Sequence, residues 1–440
     1  MKPRRSVQVK RIVFSLIPAL FLLSVSTVVL EIFERRGEIE TVRMDDAVMG
    51  SPEYFLGIKE DKDGNLVFHN NSPGVEHVFP KHKPAGQMRV FLTGESFAQG
   101  APYTIASNPI SPKYGDITNW MRALLEMRYP SLRFDVVNAS VGGINSTGVV
   151  AIARMLIPLQ PDIIIVATGN NDGFVQSPLE EFMQQWIIFR AMKKALLKNP
   201  EPMDRMKSDR LRNEVKNQSE RIVAINDSIQ RQFKKNFSKI VEATQKNKID
   251  LILSTLPINM KLDRQYPAFP WPKFPEDEYI VKGKQSLAQG RPEEAIDLFA
   301  KSASRYYSSL LVGETLEAMG KYDAAMNVYT EIVELKPMSR IHPYLNTFIR
   351  RFAGRNDHVY LADAERAVLS HGPHGMPDPD LWWDNCHMKW RGYLIVAKEI
   401  VRTMIENRLI HGGAGEPLPE PTAEEMIEKY HWCMLAESKD

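Results

Sequence analysis

Cysteine is almost absent from this 440-residue chain, which carries only Cys386 and Cys433. Two thiols exclude a disulfide scaffold and a four-thiolate zinc site, leaving open a single bridge between them in an oxidising compartment. Regular metal spacing is also missing. His371, His374, Asp378, Asp380, Cys386 and His387 crowd one proline-rich stretch. No H-E-x-x-H and no paired C-x-x-C orders them, so neither a metal nor any other cofactor is assigned. Charge of one sign is lacking: the formal net charge is +2, which predicts no polyanionic partner and no nucleic acid. Hydrophobic content of 43% and charged content of 25% are ordinary for a globular protein and exclude general disorder.

Long apolar runs are scarce as well, and the one present is informative. Lys2, Arg4, Arg5, Lys10 and Arg11 precede an almost unbroken apolar run from Ile12 to Leu30. Crossing hydrocarbon takes roughly 20 residues at about 1.5 Å rise each, so the run suffices. The basic flank stays cytoplasmic, which sends the chain after Glu31 to the extracytoplasmic, periplasmic side. A cleaved signal peptide is the competing reading, but no A-x-A-like site follows the run. The expectation is a cytoplasmic basic segment 1–11 and a single-pass signal anchor 12–30 in the cell membrane.

Residues 31–87 mix charges with Gly, Pro and Asn and read as a stalk, with a small hairpin around Phe55 to Phe68. From Met88 the pattern alternates. Short β-rich runs occur at Arg89–Thr93, Phe134–Asn138, Ile163–Thr168 and Ile249–Ser254, with a weaker one at His358–Ala362. A helix with Trp120, Leu124 and Met127 on one face, capped by Asp116, separates the first two; a second helix spans Thr147 to Leu156. Alternation of this kind predicts a parallel sheet covered by helices on both faces, with an active site at the carboxyl ends of the strands.

Two helical segments interrupt the pattern. Residues 178–246 are rich in Lys, Arg, Gln and Asn, with Asp and Glu interspersed, which describes a solvated face of long helices better than a membrane-surface patch. Within 276–340, Gly283, Gly290, Ala295 and Phe299 recur 30 residues later as Gly313, Gly320, Ala325 and Tyr329, with Pro337 closing the second copy. Each copy reads as two short helices that touch at the small residue, with the aromatic in the groove. These positions resemble the tetratricopeptide (TPR) repeat, whose usual period is about 34 residues. A protein-docking surface and a packing insert are both open for this segment.

Four short segments carry the chemistry. Gly94-Glu95-Ser96 follows the first strand, and a serine there presents its hydroxyl and N–H to a cleft. The spacing is not the G-x-S-x-G elbow of α/β-hydrolases. Gly142-Gly143 follows the second strand, where paired glycines let the backbone approach a ligand. Gly169-Asn170-Asn171-Asp172 follows the third and offers a side-chain amide to an oxyanion. Asp384-Asn385-Cys386-His387 is expected to open the last helix, its acid and imidazole three apart on one face.

In this order the four segments resemble the blocks of the SGNH/GDSL hydrolase superfamily. The resemblance implies a three-layer α/β/α, flavodoxin-like parallel sheet. It also implies a Ser96–His387–Asp384 triad and an oxyanion hole of Ser96, Gly143 and Asn171. Glu95 departs from the family's usual Asp. The resemblance covers 88–175, 249–257 and 358–404 and implies an enzyme acting on an acyl ester, without naming the substrate; an O-acyl group of a glycan or lipid is the expected class. The hydrolase domain is expected at 88–262, with the helical insertion 178–246, and at 341–412, followed by a tail at 413–440. Two alternatives stand beside the esterase: an acyltransferase with the same triad, and an inactive interaction protein built around the repeats.

Overall fold

The computed structural model describes residues 56–70, 76–103, 115–172, 219–261, 276–335, 340–384 and 386–411, with isolated positions between 417 and 425. The segments read as 1–11 and 12–30, residues 178–218, Pro337, Cys433 and most of the tail lie outside them. Among the described residues, no helix is long and apolar enough to cross a membrane.

Five parallel strands form the centre: β4 (Gln87–Gly94), β5 (Arg133–Asn138), β6 (Ile163–Ala167), β7 (Asp250–Ser254) and β8 (Val359–Ala362). Their order is β5-β4-β6-β7-β8, the flavodoxin-like arrangement in which chain direction switches between β4 and β6. Ligands of such sheets bind outside the carboxyl ends at that switch. The central strand β6 is Ile163, Ile164, Ile165, Val166 and Ala167, and every residue is buried. A β-branched run without polar alternation is what a strand covered on both faces requires.

Between β4 and β5 lie a four-residue helix α1 (Ser96–Gln99) and then α2 (Ile117–Arg128), whose N-terminus is capped by Asp116 accepting from the Thr118 and Asn119 amides. Helix α3 (Ser146–Leu156) is capped in the same way by Asn145. The 28-residue α4 (Ser219–Lys246) closes the described part of the basic segment. It is no mere solvated face. Ile229, Phe233, Phe237 and Ile240 recur every third or fourth position and are buried, so α4 is the crossover from β6 to β7 and packs on α3. Its Phe233 and Phe237 meet Phe348 edge-on at 5.7 and 5.9 Å between ring centres.

Part of the stretch read as a stalk is also folded. Strands β1 (Leu56–Glu60), β2 (Asn65–Asn70) and β3 (Glu76–Pro80) form an antiparallel sheet with one strand more than the expected hairpin. Phe68 and Phe79 pack on Phe91 of β4, with ring centres 6.4 and 5.9 Å apart. The buried Arg89 donates to Pro80 O at 2.6 Å and to Asp135 at 3.1 Å. That bond ties β3 to the base of the parallel sheet and satisfies a cation that burial would otherwise destabilise.

Between β7 and β8 come two helical hairpins: α5 (Glu278–Ala288) with α6 (Pro292–Phe299), then α7 (Arg305–Ala318) with α8 (Tyr322–Leu335). The recurring residues fall where the two hairpins need them. A Cβ on Gly283 would lie 2.4 Å from the Phe299 ring, and one on Gly313 would lie 2.6 Å from the Tyr329 ring. Helix α9 (Pro343–Ala353) follows, with Pro343 at its first helical position. After β8 the chain forms α10 (Ala364–Leu369) and α11 (Trp390–Glu406). Helices α2 and α11 pack together on one side of the sheet, while α3, α4 and α9 associate on the other, giving three layers.

Candidate active site

Three of the predicted segments lie at loops leaving the carboxyl ends of β4, β5 and β6, and the fourth, Asp384 to His387, lies between α10 and α11. Gly94 ends β4 where it almost touches β6: a Cβ there would sit 2.0 Å from Ala167 O and 2.6 Å from Ala98 Cβ. Only glycine lets the chain turn so tightly into α1. Ser96 is half-buried among buried neighbours on that turn, so its hydroxyl faces outward from a rigid base.

Ser96 Oγ lies 2.8 Å from His387 Nε2. His387 Nδ1 in turn lies 2.6 Å from Asp384 Oδ2. The three side chains lie side by side, in a local structure that differs from the one expected from the sequence. Asp384 and His387 do not open the last helix, which starts at Trp390 with Lys389 as its N-cap. They occupy a tight turn closed by an antiparallel bridge between Trp382 and Met388. The Trp383 amide donates to His387 O at 2.9 Å and the Lys389 amide to Leu381 O at 2.8 Å. Inside the turn, Asp384 Oδ1 accepts from the amides of Cys386 at 2.9 Å and His387 at 2.7 Å. One carboxylate oxygen thus holds the turn while the other holds the imidazole.

The electrostatics follow from those bonds. Burial works to raise the Asp384 carboxyl, but the His387 hydrogen bond and charge, with the two turn amides, outweigh it and hold the carboxyl below its usual value. Burial, together with the Asp384 and Glu95 charges, pushes the Cys386 thiol well up. Asp384, Cys386 and His387 put ligand-type atoms within 4.8 Å of one another. A thiol so hard to ionise is poorly suited to binding a metal, and the acid and imidazole are engaged with each other and with Ser96.

Gly143, on the loop after β5, adopts φ +81 and is exposed, with nothing within 4 Å of a Cβ position. The loop is held beside the serine: the Val141 amide donates to Gly94 O at 3.0 Å, and a Cβ on Gly142 would lie 3.8 Å from Ser96 Cβ. Asn171 sits on the loop after β6, its Nδ2 donating to Ile144 O at 2.8 Å. That bond joins the glycine and asparagine loops.

Glu95 explains its own departure from Asp. Its carboxyl is fully buried and accepts from Gly169 N at 2.8 Å, from Asn171 N at 2.9 Å, and from Asn170 N. The extra methylene carries the carboxyl into the β6 loop. Burial first, then the nearby Asp172 charge, pushes its pKa up to about 8 against the pull of those three amides. Asp172 is raised to about 6 by burial, opposed by bonds from the Ser146 hydroxyl and amide. These anchoring roles were not visible in the sequence, nor was that of Asn259, whose Nδ2 donates to Asp384 O at 2.9 Å. The one available signal was its place just past β7, in register with the other three loops.

No family model matches the chain, and no curated protein does. Among solved structures, the chain is similar to an α/β hydrolase enzyme from the metagenome of Lake Arreo, Spain, with 15% identity and a TM-score of 0.34. That alignment covers 74% of this chain and 97% of the other. It is also similar to a variant of an acetyl xylan esterase from Geobacillus stearothermophilus, at 14% identity and TM-score 0.31, over 72% of this chain and 94% of that one. A GDSL-like lipase from Bacteroides thetaiotaomicron shares 13% identity at TM-score 0.27, over 72% and 88%.

Proposed function

We propose that the chain is an SGNH-type serine esterase acting on an acyl ester, with Ser96 as nucleophile. The observation that carries this reading is the unbroken hydrogen-bond chain from Ser96 Oγ through His387 to Asp384. In the reaction, His387 Nε2 takes the hydroxyl proton as Oγ bonds to the ester carbonyl carbon. The carbonyl π electrons move to oxygen, and that oxyanion is met by the amides of Ser96 and Gly143 and by Asn171 Nδ2. A primary amide has two hydrogens, so Asn171 keeps one for the substrate while the other holds Ile144 O. The imidazolium then protonates the departing alkoxide, leaving an acyl-serine. Water repeats the sequence, giving its proton to His387 and releasing the acid with Ser96 restored. Asp384 keeps the proton on Nδ1 and stabilises the imidazolium in both halves. No step calls on a cofactor.

The apolar run 12–30 with its basic flank supports an exported, single-pass-anchored enzyme whose hydrolase domain lies on the periplasmic side. The hairpins at 276–335, with glycine against aromatic in each copy, support a TPR-like segment that receives a protein partner. A glycan or lipid O-acyl group is the substrate class such a location would bring to the site.

The test is a fluorophosphonate probe on the full-length chain, with the adduct mapped by mass spectrometry, alongside hydrolysis of p-nitrophenyl acetate. Labelling at Ser96, abolished in His387→Ala, is the expected result. Well-folded protein that neither labels nor hydrolyses the ester would sink the reading.

A further inference from the structure

Arg340 and Ile341, which come between α8 and α9 in the chain, lie against the site. Arg340 and Ile341 precede α9, and both are buried, at 3% and 0% exposure. Arg340 Nη1 donates to the main-chain carbonyl of Asn259 at 2.6 Å. Asn259 passes the connection on, its Nδ2 donating to the main-chain carbonyl of Asp384 at 2.9 Å, while its Oδ1 accepts from Lys261 N at 3.2 Å. The next residue reaches the other side. Ile341 N donates to Asn170 Oδ1 at 2.7 Å. The Ile341 side chain covers Gly169, where an added Cβ would come within 2.5 Å of its Cδ1. A further link runs from the hairpins themselves: the Tyr322 ring at the start of α8 stacks on His374, centres 4.3 Å apart and planes 14° from parallel, in the loop that leads to Asp384.

We propose that Arg340 and Asn259 are positioning residues for the reaction, with Ile341 as their counterpart on the oxyanion side. The inference rests on the serine-esterase reading above. One dipeptide fixes two parts that must hold a common geometry. Through Asn259 it sets the depth of the turn carrying Asp384 and His387. Through Asn170 and Gly169 it sets the loop carrying Asn171. A guanidinium buried to this extent is costly unless bonded, and here its bond is made to a carbonyl one residue-length from the catalytic turn. Its charge reaches that turn too, opposing the upward shift on Cys386. Small displacements of such a constellation are expensive, since misplacement by about 1 Å costs on the order of 100-fold in rate. Arg340 and Ile341 are thus part of the site's wall.

The experiment compares full-length wild type with Asn259→Ala, Arg340→Met, Arg340→Lys and Ser96→Ala. Steady-state hydrolysis of p-nitrophenyl acetate is measured, with the folded fraction of each variant determined by circular dichroism and thermal unfolding. The expected result is a kcat per folded molecule lowered by roughly 10- to 100-fold in Asn259→Ala and Arg340→Met, as for other supports of a catalytic group. KM stays within about twofold, because these residues act on the triad and the oxyanion loop. Arg340→Lys, which keeps a donor and a charge, recovers part of the loss. Asn259→Ala retains the carbonyl that Arg340 grips, so it reads the relay even if Arg340→Met does not fold. Wild-type kcat in Asn259→Ala and folded Arg340 variants, with Ser96→Ala inactive, overturns this proposal alone. Full turnover by Ser96→Ala overturns the esterase reading and this one with it.

Discussion

The Glu95 carboxyl accepts the Asn171 backbone N–H at 2.9 Å, so the residue before Ser96 holds the loop that carries Asn171. The same carboxyl takes the amides of Gly169 and Asn170. Removing it in Glu95→Ala leaves three buried donors without their acceptor, each worth about 1–3 kcal/mol when unsatisfied. The expected outcome is a protein less stable by several kcal/mol by denaturant titration, with kcat lowered further than KM. Glu95→Asp tests reach: a side chain one methylene shorter cannot hold all three amides, so it falls between wild type and Glu95→Ala in both measurements.

Stability should fall with rising pH through the buried pair Glu95 and Asp172. Glu95 is raised from 4.5 to about 8 and Asp172 from 3.8 to about 6. The folded state therefore binds protons that the unfolded state has lost, and stability falls as pH rises through this window. Thermal unfolding between pH 5 and about 8 should show a declining Tm, and Asp172→Asn should flatten the decline by removing one of the two charges. A Tm that rises across the window would contradict the direction of both shifts.

Asp384 acts at the acid end. Its carboxyl is held below the ordinary 3.8, so its contribution is present at neutral pH and lost as pH falls through the lowered folded value. The stability gap between wild type and Asp384→Asn should be widest near pH 7 and should narrow below about pH 4. In turnover, the same variant should lose about 10⁴-fold in kcat, because an amide favours the wrong imidazole tautomer. Unchanged ester hydrolysis by Asp384→Asn would remove it from the mechanism.

The hairpins make a separate, purely steric prediction. Gly283→Ala puts a methyl 2.4 Å from the Phe299 ring and Gly313→Ala one 2.6 Å from the Tyr329 ring. Each helix pair must spread, at about 1–3 kcal/mol. Ala at an exposed helical position of the same hairpins, Glu331→Ala for instance, should leave Tm nearly unchanged. Equal Tm values for the glycine variants would mean that the small residues are not the points of contact.

Much of this was legible in the sequence because it is local or periodic. The apolar β-branched run Ile163–Ala167 announces a strand covered on both faces, and Asp116 announces a helix start, since both signals depend on near neighbours. The order of the four loop segments suggested that Ser96, Asp384 and His387 would meet. Short-range pattern could not say how. The turn at Asp384 looked like the first turn of a helix because the i, i+3 spacing suits both. The Trp382–Met388 bridge decided between them, and a bridge pairs residues by their fold, not by their spacing. The folded part of the stretch 31–87 was hidden for a similar reason, as its strands are short and their aromatic partner, Phe91, lies in another element. Arg340, Asn259 and Glu95 are ordinary polar residues in sequence. Burial against carbonyls and amides far along the chain gives them their roles, and those distances close only when the sheet has formed.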